Sequence, residues 1–200
     1  MKSTSRLVLG LGIWLVSLLI LSSCGGRRNV ETPKPVAYFR IDLPEHQYRQ
    51  VDTLLPFTFE QSEAAQLSIR PQKDGSYWVD VDYPTLNATF KITYFPVPRP
   101  DSLRSLMVHE EKMVKFHYQK ADDVEYSVIH DPESRLWGQI YDIAGREVAT
   151  PLMFWMTDST RQFLRSTLYF NFTPNNDSLE PVIQYLREDA LHLINTFQWK

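Results

Sequence analysis

Thr89-Phe90-Lys91-Ile92-Thr93-Tyr94-Phe95-Pro96-Val97-Pro98-Arg99-Pro100 holds the change of period that decides the fold class. Phe90, Ile92 and Tyr94 alternate with Thr89, Lys91 and Thr93, the two-residue repeat of a strand with one buried face. Pro96, Pro98 and Pro100 then stop sheet pairing, because proline has no N–H to give to a ladder. Beyond them Leu103, Leu106, Met107, Met113, Val114 and His117 fall at helical spacing. Asp101 or Ser102 can cap that helix, since a side-chain oxygen there accepts an otherwise orphaned amide.

Upstream the period stays at two. Phe39-Arg40-Ile41-Asp42-Leu43 alternates apolar with charged residues and reads as a half-buried strand ended by Pro44. Leu67 and Ile69 mark a second strand. Val79, Val81 and Tyr83 share one face of a third, with Asp80 and Asp82 on the other and the Asp74-Gly75 turn before it. Downstream of the helix, Val124–Ile129 returns to strand character. Leu136–Ile143 and Val148–Met156 flank Ala144-Gly145 as a hairpin, and Leu152-Met153-Phe154-Trp155-Met156 is apolar on both faces, as in a strand inside a sheet. Thr167–Phe172 is a further strand.

The final segment is helical. Leu179, Val182, Ile183, Leu186, Ala190, Leu193, Ile194 and Phe197 form one stripe, with Asp177 or Ser178 as cap. Burying the stripe is worth on the order of 10–20 kcal/mol before chain entropy, so the helix is expected to lie across a sheet. Strands, helix, strands, helix in that order predict an α+β fold, a mainly antiparallel sheet with two packed helices. By shape alone this resembles the PsbP/Mog1-like sandwich.

The first 24 residues address the chain. Lys2 and Arg6 precede an apolar run from Leu7 to Leu21, and small residues lead to the one cysteine, Cys24. That is the layout of a secretory signal, and Leu21-Ser22-Ser23-Cys24 resembles a bacterial lipobox. The resemblance implies cleavage before Cys24 and acylation of its thiol, with palmitate among the acyl groups. The competing reading is a retained transmembrane helix, but the run is shorter than the ~20 residues a span needs and contains Gly10 and Gly12. The expected organisation is a signal peptide at 1–23, a lipidated N-terminus and tether at 24–37, and a single globular domain at 38–200. Gly25–Val36 lacks apolar periodicity and contains Pro33 and Pro35. Extended, such a tether reaches roughly 40 Å. Arg27 and Arg28 are either solvated or in contact with anionic head groups.

Removing Lys2 and Arg6 from the 21 basic residues leaves 19 against 24 acidic ones, a net −5. Such a surface has no general attraction for nucleic acid. With Cys24 carrying lipid, no disulfide forms within the chain, and the core alone holds the fold.

Motifs of catalysis are missing from the sequence. His46, His109, His117, His130 and His192 form neither an H-x₃-H pair nor HExxH, the spacing that sets two ligands on one helix face. There is no G-x-S-x-G elbow and no glycine-rich phosphate loop. The expectation is no catalytic residue, no cofactor and no metal site. One segment, Met156–Arg165, gathers Asp158, Ser159, Arg161 and Arg165. It reads either as a turn in which Asp158 caps a short helical piece or as a polar contact surface for a partner. Asp52-Thr53-Leu54, Asp101-Ser102-Leu103 and Asp177-Ser178-Leu179 look like O-glycosylation acceptors at Thr53, Ser102 and Ser178, though capping explains two of the three.

Several short stretches, in order, carry a family resemblance. They are Tyr38–Pro44, Pro56-Phe57-Thr58-Phe59-Glu60, Tyr141-Asp142-Ile143 with Gly145, Thr157-Asp158-Ser159-Thr160 leading to Phe163-Leu164-Arg165, Leu168-Tyr169-Phe170-Asn171, Pro174-Asn175, Asp177-Ser178-Leu179 with Pro181-Val182, and Thr196-Phe197-Gln198-Trp199-Lys200. Together with the lipobox they resemble the gliding motility lipoprotein GldD family. The resemblance implies a cell-envelope lipoprotein serving gliding motility and the associated type IX secretion machinery, with lipidation at Cys24 and no catalysis. Its expected partners are the membrane, through the anchor, and envelope proteins of that machinery. Exported surface lipoproteins of such bacteria tend to carry an acidic run after the cysteine. Gly25-Gly26-Arg27-Arg28 is not acidic, so the domain is expected to face the periplasm. The alternative reading is a periplasmic small-ligand-binding lipoprotein, with Trp78, Trp137 and Trp155 lining an apolar pocket under two helices. A hydrolase assembled from scattered residues is the third reading.

Overall fold

The computed structural model describes residues 41–51, 53–172 and 175–200, which fall in one compact unit running from Tyr38 to Lys200. The signal peptide, Cys24, the tether and the first part of the Phe39–Leu43 strand lie outside the described residues.

The fold is α+β. Ten strands are described: β1 (Tyr48–Val51), β2 (Phe57–Ser62), β3 (Gln66–Pro71), β4 (Tyr77–Tyr83), β5 (Ala88–Pro96), β6 (Asp123–Asp131), β7 (Leu136–Ala144), β8 (Leu152–Thr157), β9 (Gln162–Phe170) and β10 (Gln198–Trp199). Two helices interrupt them, α1 (Pro100–His117) and α2 (Asn176–Asn195). A seven-stranded sheet has the order β3-β4-β5-β9-β8-β7-β6, and a three-stranded sheet has β1-β2-β10. Every pairing is antiparallel. The proline run ends β5 and releases the chain into α1, which carries it to the far edge. β6 to β9 then return as a meander, and β9 closes on β5.

Two cores result from strand alternation. On one face Val79, Val81, Phe90, Ile92, Leu152, Phe154, Met156, Leu164 and Leu168 pack with Val182, Leu186, Leu193 and Phe197 of the α2 side and with Phe57 and Phe59 of the small sheet. On the other face Tyr141, Ile143, Met153, Trp155 and Phe163 pack with Val114 and the partly buried Leu103, Leu106 and Met107 of α1. β8 is buried along its whole length because it feeds both cores. The helices therefore cover opposite faces of the sheet. One arginine ties each down: Arg187 of α2 grips Asp142 at 2.8 and 3.0 Å, and Arg165 of β9 reaches the buried Glu110 of α1 at 3.0 Å.

Gly138 marks the tightest point. A Cβ there would lie 2.0 Å from the Trp155 carbonyl oxygen, so the β7–β8 approach requires glycine.

The structure corrects several expectations. Ile41–Leu43 is not strand; Ile41 packs on the larger core, while β1 and β10 occupy both edges of β2. The cap of α1 is Arg99, with Pro100 entering the first turn, and the cap of α2 is Asn175; neither makes a side-chain capping bond. Asp101, Ser102, Asp177 and Ser178 thus lie inside first turns. At the start of α1, proline supplies the helical φ without needing an amide partner. Capping therefore does not account for the Asp-Ser-Leu tripeptides. Thr53 lies outside the strands, where its hydroxyl accepts from the Leu55 amide at 3.3 Å. Finally, β9 begins at Gln162, so Phe163, Leu164 and Arg165 belong to a strand and the β8–β9 connection is a short turn.

Candidate functional site

The expected contact residues do not share one surface. The Asp158 side chain is 5% exposed and organises the β8–β9 turn from within. Its Oδ1 accepts the amides of Thr160, Arg161 and Gln162 at 2.8, 2.7 and 2.9 Å, and its Oδ2 accepts the Thr160 hydroxyl at 2.7 Å. Burial pushes the Asp158 carboxyl up, but the hydrogen bonds of Thr160, Gln162 and Arg161 outweigh it and hold it below the usual range. Ser159 and Arg161 are exposed in the turn. Arg165 lies on the α1 side, paired with Glu110 and 5.8 Å from the Phe95 ring. Asp158 thus acts as the bracket of a turn, as the capping reading supposed, although the bracketed element is a hairpin and not a helix.

The tryptophans do not converge either. Trp155 is buried and stacked on Phe163 at 5.8 Å. Trp78 is 49% exposed on β4 beside Arg70, and β5 and β9 separate β4 from the strand of Trp155, a gap of roughly 14 Å at normal strand spacing. Trp137 sits opposite Thr157 on β7. Helices on opposite faces cannot roof a common pocket.

Polar groups do gather where β1 and β4 meet α2, a cluster the sequence reading missed. Tyr185, Glu188, Asp189 and His192 recur at spacings of three and four, so α2 presents them along one side. The Asp189 side chain is 2% exposed. It accepts from His46 Nδ1 at 2.7 Å, the Tyr48 hydroxyl at 2.9 Å and the Tyr83 hydroxyl at 2.8 Å. His46 Nε2 meets Glu188 at 2.9 Å, and its ring stacks on Tyr185 at 4.3 Å. Tyr48 stacks on His192 at 3.5 Å, and His192 Nε2 meets Glu60 of β2 at 2.7 Å.

Burial, then Asp189, raises the Tyr48 and Tyr83 hydroxyls far above their ordinary range. Both stay protonated and donate to the carboxylate at any physiological pH. Tyr185 is raised by burial, with Ser62 opposing and Asp189 adding. A buried carboxylate is costly unless such donors satisfy it. Three directional bonds on Asp189, from two strands and the segment before β1, make a clasp: they fix where the segment bearing His46 and Tyr48 meets α2. The groups face one another, and the Tyr48 hydroxyl also lies 3.2 Å from His46 Nδ1. Among the described residues no group of three or more histidine, cysteine or acidic side chains is arranged to hold a metal. No described helix is long and apolar enough to cross a membrane. The signal for this cluster was Asp189 itself, an acid set between Leu186 and Leu193 on an apolar stripe.

Comparison with known proteins identifies a family. The family described as gliding motility lipoprotein GldD matches residues 28–199. No curated protein matches the chain significantly. Among solved structures it is similar to cyanobacterial PsbP (CyanoP) from Synechocystis sp. PCC 6803, at 11% identity and a TM-score of 0.44, over 79% of this chain and 95% of that one. A likeness that loose says nothing about ligands or partners.

Proposed function

The chain belongs to the gliding motility lipoprotein GldD family, and from that premise we propose that it is a non-enzymatic component or assembly factor of the gliding motility and type IX secretion machinery. The observation that carries the reading is the extent of the family match, which takes in residues 28–199 and so spans the folded domain. The clasp supports it, since its histidines and acids pair with one another and hold the His46–Tyr48 segment and β2 to α2. In this reading residues 1–23 are removed as a signal peptide, Cys24 carries the acyl anchor, and the domain faces the periplasm. The anchor confines the domain to a membrane surface, which raises its effective concentration near membrane-bound partners without a strong contact.

The test is an affinity pull-down of the lipidated protein from gently solubilised envelopes, with mass spectrometry of the co-purifying proteins. Recovery of motility or secretion components supports the proposal, and recovery of the bare protein counts against it. In parallel, Cys24→Ser should abolish labelling by a clickable fatty acid. Label retained on that variant would remove the anchor from the proposal.

A further inference from the structure

The two edges of the large sheet are built differently. β3 ends in Pro71 and exposes Arg70, the usual protections against edge pairing. β6 has neither proline nor lysine along Asp123–Asp131, and its outer edge pairs with no described strand. The Val124 amide turns outward, to the Asp123 carboxylate 2.8 Å away. Alternation along an antiparallel ladder turns the amides and carbonyls of Tyr126, Val128 and His130 the same way. The side chains beside this row are sorted by face. Val124, Tyr126 and Val128 share the α1 side with Ile143, Tyr141 and Gln139, their partners in register, and Tyr126 and Val128 are 63% and 67% exposed. Asp123, Glu125 and Asp131 stand on the α2 side, and Asp122 precedes them. Among the described residues none of these four acids is in an ion pair. Arg187 of α2 feels the charge of Glu125 but is gripped by Asp142, and His130 is the one basic side chain in the strand.

We propose that β6 is the docking edge for an extended basic segment of an envelope protein, which joins the seven-stranded sheet as one more strand. Residues directly opposite in a ladder share a face. The segment therefore sets lysine or arginine against Asp123, Glu125 and Asp131, and apolar residues against Val124, Tyr126 and Val128. Main-chain bonds supply the affinity of such an added strand, and its alternate side chains supply the specificity. Charge selects the occupant. A second β6 would bring the same four acids together, and like charges opposite one another destabilise a ladder. This chain's own tether fits poorly as well. Arg27 and Arg28 are consecutive, so an extended backbone turns them to opposite faces, and Pro33 and Pro35 lack ladder donors. The inference rests on the reading above, in which the domain works through an envelope protein, and gives that contact its chemistry.

The probe is a synthetic peptide alternating lysine with valine, nine residues long like β6, added to the full lipidated chain in a neutral detergent. Calorimetry should show one peptide bound per chain, and deuterium exchange should slow across residues 123–131. A peptide alternating glutamate with valine should not bind. Val128→Pro removes one outward amide and spares the ladder to β7, so it should weaken the lysine peptide about fivefold. Asp123→Lys combined with Glu125→Lys should transfer binding to the glutamate peptide. Unchanged thermal unfolding shows that these variants fold. No binding of the lysine peptide to the wild type overturns the proposal. So does equal binding by folded Val128→Pro, which would mean adsorption by charge alone, or no change of preference in the lysine variant. Twice the protomer mass without peptide, or binding seen only after Arg27→Ala and Arg28→Ala, would give the edge to a second copy or to the tether and overturn it too. None of these results depends on the envelope pull-down, so the docking edge and the role in the machinery fail separately.

Discussion

Asp189→Ala tests whether the clasp holds the domain. The carboxylate is 2% exposed and accepts three hydrogen bonds at 2.7–2.9 Å. Truncation leaves the Tyr83 hydroxyl buried with no acceptor and removes the buried tie of His46 and Tyr48 to α2, leaving them only the Glu188 contact and the stacks on Tyr185 and His192. Hydrogen bonds to a charged group are worth about 1.5–3 kcal/mol each, but they share one acceptor and do not add. Removing one partner of a buried charged cluster costs about 3–5 kcal/mol, and that is the expected loss. For a domain of this size it corresponds to a fall in melting temperature of about 6–20 °C. Urea unfolding of detergent-solubilised protein, followed by tryptophan fluorescence, measures it. Tyr83→Phe should cost less, and the double variant should show coupling of about 0.5–3 kcal/mol. A loss below about 0.5 kcal/mol for Asp189→Ala, within the range of an ordinary surface change, or strict additivity with Tyr83→Phe, would refute the reasoning.

Gly138→Ala places a methyl carbon 2.0 Å from the Trp155 carbonyl. Backbone must shift, so a loss of at least about 1–3 kcal/mol is expected in the same unfolding assay. Asp158→Asn tests the β8–β9 turn through pH. The folded carboxyl lies below its ordinary value, so its contribution is complete above the unfolded value of about 3.9 and is lost as pH falls through the lower folded value. The stability difference between wild type and Asp158→Asn should therefore narrow as pH falls from about 5 into the range below the unfolded value of about 3.9. A difference constant across that range would contradict the assignment.

The period of the apolar residues carried most of the large sheet and both helices. β4, β5 and β8 each have a continuous inner face, and α2 has an unbroken stripe, so local pattern and tertiary burial agree. The small sheet was harder to read. β1 is four residues long and β10 two, too short to show a period, and they exist because both edges of β2 need partners. Phe39–Leu43 shows the converse, an alternation with no ladder formed at Ile41–Leu43. Helix placement on opposite faces was also illegible, since a stripe states that a face is buried but not against which side of the sheet. The clasp draws His46 and Asp189 together across 143 positions. Only the anomalous acid on the apolar stripe hinted at it.

The small sheet sets the order in which the domain can close. β2 is held on one side by β1, which precedes it closely, and on the other by β10, where Gln198 pairs with Thr58 across 140 positions of chain. Phe197, buried beside Phe57 at 5.2 Å, seals the same joint. A chain delivered N-terminus first therefore exposes Phe57 and Phe59 until residues 197–199 arrive. A chain that stays open until then is vulnerable to proteases for the same interval. Contacts this distant in sequence form slowly because loop-closure entropy is lost before they repay it. For this domain, closure of the small sheet waits on residues 197–199.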